Sequence, residues 1–489
     1  MHPQISVPLL CGLLAVSAST VHTQPANAQP ANVPSAVPIR ALAAADAKTP
    51  AHFGNIFGLR QLAGGKVLVN DGVRRQLVML DANLANPTVV VDSVSEGGNS
   101  YGPRAAPLIP YLADSSLFVD GSSLSLLVID PNGKVAHVMS APKPGDLRFL
   151  AGSASGVDGQ GNLVYRGAMT INRSMLGPGA QPGQMPAMIQ PPDSAPIVRA
   201  NFETRAVDTV GRVKIQSGSR MNMTQDANGK MTAKLTINPL PTVDEWAVLS
   251  DGSIAFVRGH DYHIDWIRPD GTRSSSPKLP FDWKRLTDDD KQKLVDSART
   301  AMDKAAADAK AAGANPMAAT MGAVAGAATG GGAGGGGGGG AGMEIRVMTM
   351  AGGAGGGGGG DRGMSIGAPG PGGATPSMQN FNMGAPQIEF VPLKEIADYY
   401  PAIRSGATKA DLDGNLWILP TTSARSKAGE LVYDVVNNRG ELFQRVRLPV
   451  GRSIAGFGHN GVIYLMYRDI AVGWFLERTK ISNSASATN

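Results

Sequence analysis

Two histidines and two aspartates crowd into His260 to Asp265 of the stretch HDYHIDW. Imidazole and carboxylate are ordinary ligands of divalent ions, so the cluster first reads as a metal site. One ion needs converging ligands, however. Tyr262, Ile264 and Trp266 alternate with His263, Asp265 and Ile267, the period-2 signature of a β-strand, while His260 and Asp261 fall in the loop before it. The four groups do not converge, so no metal and no cofactor is assigned. A second set consists of loop residues: Arg74, Arg75, Arg104, Arg148, Arg258, Arg452 and Arg468, with the acids Asp244 and Glu245 and with His260. Guanidinium pairs carboxylate or phosphate in a forked geometry, so these ten are the candidate ligand-binding residues, for a small anionic ligand. The plain alternative is that loops are polar and arginines common on surfaces. The serines are read as lacking a Gly-x-Ser-x-Gly elbow, and neither a His-Glu-x-x-His zinc motif nor an Asp-rich calcium loop is found.

The elements that must position such groups come from a repeat. In VDEWAVLSDGSIAFVRGHDYHIDWIRPDGTRSSSPKLP (243–280) a short apolar strand meets the turn Ser250-Asp251-Gly252, followed by a second strand, the alternating third and a fourth after Arg268-Pro269-Asp270-Gly271. Four antiparallel strands in about forty residues make a β-propeller blade. The pattern returns at 61–92, 124–142, 155–167 with 196–215, 407–449 and 453–481, giving six units. The last unit has three clear strands, and VPIRALAA (37–44) is the candidate to close it. Trp246, Trp266 and Trp417 lie in strands and are read as core.

WAVLSDGSIAFVRG, YHIDWIRPDG, DLDGNLWIL, YDVVNNRGELFQRVRLPVGRSIAGFG and the terminal WFLERTKI resemble the secreted bacterial six-bladed β-propellers, the broad TolB-like and NHL-like group. The resemblance implies an all-β fold of six four-stranded antiparallel blades. Such propellers host binders, lyases, lactonases and scaffolds alike, so it assigns no activity.

Two insertions interrupt the repeat. Residues 168–194 are rich in Pro, Met and Gly and form an irregular loop between a second and a third strand. Residues 281–400 separate blades four and five. The larger one opens with a helix over 287–312, where Thr287 caps, Asp288 to Asp290 load the first turn, and Leu294, Val295, Ala298 and Met302 form an apolar stripe. It continues as a Gly-rich run, 313–374, whose composition cannot bury a core, broken by the apolar island MEIRVMTM (343–350). Propeller topology puts both insertions on one face, as a lid or docking surface.

Residues 5–18 form an apolar stretch too short to span a bilayer, with Ala-Asn-Ala at 26–28, which reads as an export signal over 1–28. The sole cysteine, Cys11, falls inside it. The expected product is periplasmic or extracellular, with blades one to four in 29–280 and blades five and six in 401–489. It has no membrane span after signal removal. A net charge of +5 without a basic run excludes a nucleic-acid footprint. The leading expectation is a binding or protein-interaction module of the cell envelope. The alternative is a metal-dependent, lactonase-like hydrolase or a lyase with its site at the propeller channel.

Overall fold

The computed structural model describes residues 37–93, 100–102, 106–120, 123–150, 154–168, 188–189, 192–215, 220–225, 231–311, 313, 319–320, 323, 387–421 and 430–485. The chain divides into Met1–Val37 and Pro38–Asn489, and every element below belongs to the second part. The signal region 1–28, the island 343–350 and Arg104 lie outside the described residues, as do most of 168–194 and of 313–374.

Four sheets share one plan. Gly58–Gln61, Val67–Asp71, Gln76–Leu80 and Thr88–Val91 form the first blade. Leu108–Pro110, Ser116–Asp120, Ser125–Ile129 and Val135–Met139 form the second. The third is Ser155–Val157, Leu163–Arg166, Ser194–Ala200 and Val207–Lys214, and the fourth Glu245–Val248, Ile254–Arg258, His263–Ile267 and Arg273–Ser275. Burial grades across each sheet and explains its composition. The second strands VLVND and SLFVD are buried throughout, whereas the outermost strands VAHVM and RSS are mostly exposed. A strand packed on both faces reads as a continuous apolar run, and one at the rim does not. The inner strands stand side by side from each blade to the next, and that of the fourth lies beside Thr408–Ala410. The fold is thus all-β, with four-stranded antiparallel blades in a propeller-like arrangement.

Aspartates make the hairpin turns. Asp158 Oδ1 accepts from the amides of Gln160 and Asn162, both at 3.0 Å. Asp411 Oδ1 accepts in the same way from Asp413 at 3.0 Å and Asn415 at 2.7 Å. Such Asx turns need a left-handed residue, which is why Gly161 (φ 81°) and Gly414 (φ 84°) follow.

A nine-stranded sheet holds the C-terminal part. Thr408–Ala410, Leu416–Ile418, Leu431–Val436 and Leu442–Leu448 form a meander of the same plan. Ile39–Leu42 then runs parallel to Leu442–Leu448 and antiparallel to Gly473–Ala485, which continues into Val462–Asp469 and Ser453–Phe457. Ala47–Lys48 pairs further along Gly473–Ala485. The segment read from sequence as a closing strand thus stitches two strand groups together. Ser453–Phe457 in turn lies beside the inner strand of the first blade.

A fifth four-stranded sheet is mixed: Met188–Ile189, Arg220–Gln225, Met231–Ile237 and Gln387–Phe390, the last parallel to its neighbour. Its strands come from three different connections, including both insertions. The α-helix Asp288–Ala311 packs on it through Met302, against Leu235, Ile237, Ile388 and Phe390. Thr287 Oγ1 accepts from the Asp290 amide at 3.2 Å while Asp290 Oδ2 accepts from the Thr287 amide at 3.1 Å, a reciprocal cap. The hairpin 220–237 is missing from the sequence reading although its signal is there: Asp226-Ala-Asn-Gly-Lys230 is a turn sequence between two polar, weakly alternating runs.

Candidate functional site

Asp244 and Glu245 stand where the chain enters the inner strand of the fourth blade, and they serve different ends. Asp244 Oδ2 accepts from the Lys214 amide at 3.0 Å and from Arg258 Nη1 at 2.8 Å, and its Oδ1 accepts from the Gly259 amide at 3.2 Å. Arg258 also donates from Nε to Asp265 at 2.8 Å and from Nη1 to the Arg212 carbonyl at 2.9 Å. Burial works against this cation, and the bonds to Asp265 and Asp244 outweigh it, so its pKa is raised. His263 sits between Asp261 (Nδ1 to Oδ1, 2.6 Å) and Asp265 (Nε2 to Oδ1, 3.2 Å) on the strand His263–Ile267. His260 is exposed in the preceding turn. Together these groups tie the fourth blade to the last strand of the third.

Glu245 turns instead toward the next meander. Its carboxylate lies 3.3 Å from Thr408 Oγ1, which also donates to the Trp246 carbonyl at 3.1 Å. Burial pushes the Glu245 carboxyl up to about 7, against the pull of the Gly406 amide, the Thr408 hydroxyl, Arg166 and the Ser405 hydroxyl. Arg166 ends the second strand of the third blade; burial lowers its pKa and Glu245 counters. Next to Thr408 stands Lys409, whose ammonium burial alone pulls down. Among the described residues it has no hydrogen bond and no ion-pair partner. Glu245 and Lys409 both keep some accessible surface although protein surrounds them closely.

The remaining candidates do not join this group. Arg74 donates to the His52 carbonyl at 2.8 Å and lies 3.7 Å from Asp71, and Arg75 occupies the same turn at φ 54°. Arg452 grips Glu477 with two nitrogens at 3.2 and 3.3 Å and lies over the Tyr467 ring at 4.6 Å. Arg468 is exposed at the end of Val462–Asp469, and Arg148 falls in the 3-10 turn Pro144–Phe149. Arg166, Ser405, Gly406, Thr408 and Lys409 are missing from the sequence reading. One signal was available: a lysine inside a short strand between two hydrophobic clusters is unusual without a partner. The spelling Gly-x-Ser-x-Gly does occur twice, at Gly98–Gly102 and Gly363–Gly367. In the first, Ser100 lies between the strands Thr88–Val91 and Leu108–Pro110, so no strand-to-helix elbow is built, and the second lies outside the described residues.

A carboxyl poised near neutrality can give or take a proton, and an arginine beside it can hold an anion. Among the described residues no three His, Cys, Asp or Glu side chains gather as metal ligands, and no helix is long and apolar enough to cross a membrane.

No protein-family model matches the chain, and no curated protein matches it. Several solved structures are similar in outline. A member of the DUF4221 family from Bacteroides vulgatus has 8% identity and a TM-score of 0.40, over 91% of this chain and 98% of that one. A streptogramin B lyase has 9% identity and a TM-score of 0.30, over 90% and 87%. A gluconolactonase from Xanthomonas campestris has 10% identity and a TM-score of 0.22, over 51% and 90%. Likeness this distant carries no activity across, and the propeller-like description rests on the strand pairing of this chain itself.

Proposed function

We propose that the chain is an exported six-bladed β-propeller of the TolB-like and NHL-like kind, acting as a ligand-binding module. In this reading the meander Thr408–Leu448 is the fifth blade. The sixth is Ser453–Ala485, closed by Ile39–Leu42 and Ala47–Lys48. Support for six comes from the inner strands, since Ser453–Phe457 returns to the side of the first blade. Support for export comes from the apolar stretch 5–18.

The observation that carries the binding reading is the meeting of Glu245, Arg166 and Thr408 from three successive strand groups, with the buried Lys409 next to Thr408 on the same strand. Burying charged groups is costly unless they are answered, and these are answered only in part. The mixed sheet and its helix join this group through 238–244 and 391–407, the segments that lead into the two inner strands. The raised carboxyl of Glu245 favours a second reading, a lyase or hydrolase in which Glu245 moves the proton.

Native mass spectrometry and elemental analysis of the chain purified from its own cell envelope test the binding reading. A stoichiometric small molecule is expected, retained by the wild type and lost on Glu245→Gln. An empty wild-type chain, or a co-purified polypeptide unaffected by Glu245→Gln, would overturn it.

A further inference from the structure

We infer that the ligand is a small monocarboxylate whose acid group is anchored by Lys409. The inference rests on the binding reading above and adds the chemical class.

Charge accounting in this group leads there. Arg166 already faces Glu245, so its charge has an answer. Lys409 has none among the described residues. Its position on the strand explains why. Thr408 and Ala410, its neighbours, face the fourth blade: Thr408 through its bonds to Glu245 and the Trp246 carbonyl, Ala410 within the cluster of Ala247, Leu249 and Leu416. By strand alternation Lys409 projects from the other face. There its cross-strand partner Trp417 packs against Tyr433 and Phe457, at ring separations of 6.0 and 5.1 Å. That surrounding is apolar: Tyr433, Ile454, Phe457 and Leu465 belong to one core cluster. A cation left in such a place without a counter-charge is destabilising, and one incoming negative charge removes the penalty.

One unanswered cation calls for one negative charge. A phosphate dianion is better held by forked guanidinium or a nest of amides, and the Arg166 guanidinium already faces Glu245. A monocarboxylate fits the count.

The test uses the full chain and two matched pairs of probes: acetate with acetamide, and benzoate with benzamide. Each is titrated into wild type, Lys409→Met and Glu245→Gln near pH 8, where Glu245 is ionised, with calorimetric binding and melting temperature as readouts. Methionine keeps the reach of the side chain and discards its charge. The expected result is that at least one acid binds the wild type and raises its melting temperature while its amide does not. Lys409→Met should weaken that acid at least tenfold and melt no lower than the wild type without ligand. If Lys409→Met binds the acid as well as wild type does, the inference is overturned. The binding reading survives that result if Glu245→Gln alters the acid's affinity, and falls with it if neither variant matters. An absence of acid binding by the wild type, or equal binding of acid and amide, also overturns the inference. Loss of affinity together with a lower melting temperature in Lys409→Met would do so too, because Lys409 would then be a structural residue.

Discussion

Two inner strands of this molecule each carry a cation, and their fates differ. Arg60, in the first blade, is 9% exposed and fully engaged. It meets Asp114 at 3.0 Å and the Ser116 hydroxyl at 2.6 Å, and it also donates to the Ser115 carbonyl. Lys409, on Thr408–Ala410, has nothing comparable among the described residues. Both are pulled down by burial, yet only for Arg60 does a carboxylate, Asp114, pull back. The first is a rivet between the first and second blades, with donors matched to acceptors. The second is a buried charge with no counter-charge among the described residues.

The largest effect should come from breaking the rivet. Arg60→Met takes the cation away from Asp114, the Ser115 carbonyl and the Ser116 hydroxyl, and should destabilise by about 3 kcal/mol in urea unfolding, since removing one partner of a buried pair is costly. If it is as mild as Lys409→Met, the contrast between the two cations disappears.

Next in size is the pH dependence that Glu245 confers. Its folded pKa is raised to about 7 from an ordinary value of 4.5. The native state therefore holds the proton more tightly than the unfolded chain. That stability is complete below pH 4.5 and is lost as pH rises through 7, by up to roughly 3 kcal/mol. Glu245→Gln should match the wild type near pH 4.5 and exceed it at pH 8. Melting temperatures of both across that range check the sign.

Lys409→Met should be neutral or stabilising by about 1 kcal/mol at pH 7, because it removes an unpaired buried charge. The Lys409 ammonium is lowered, so the unfolded chain binds the proton more strongly, and wild-type stability should rise with pH toward the ordinary lysine range. Lys409→Met should lack that rise, which alkaline denaturation curves would reveal.

The smallest effect belongs to the outer network. Asp265→Asn removes one of the two carboxylates on Arg258 at a site 31% exposed, and should cost under about 1 kcal/mol, falling further in high salt. A larger loss would show that the Asp244–Arg258–Asp265 group carries more than the seam between third and fourth blades.

Much of the strand plan was legible because blade strands announce themselves. Second strands such as Ile254–Arg258 are apolar on both faces, and Asp251-Gly252 and Asp413-Gly414 mark their turns. The hairpin 220–237 escaped because its runs are polar and it pairs with Met188–Ile189 and Gln387–Phe390, far away in the chain. The site was half legible. Asp244 and Glu245 were singled out together as loop acids, yet one became a brace for Arg258 and the other a buried, near-neutral carboxyl. Adjacent residues on a strand point to opposite sides, and sequence does not say what waits on each. Arg74 and Arg452 were grouped with them on charge alone, and the structure engages each elsewhere, with the His52 carbonyl and with Glu477.

By itself, then, the sequence determined the repeating strand–turn–strand plan, because backbone alternation and the positive φ of turn glycines are local properties. Only the tertiary structure decided that Ile39–Leu42 lies between Leu442–Leu448 and Gly473–Ala485, and that Arg166, Glu245 and Thr408 meet while Lys409 goes unanswered. Those outcomes depend on which blades become neighbours and on how deeply each charge is withdrawn from water, and both are set by contacts between residues distant in the chain.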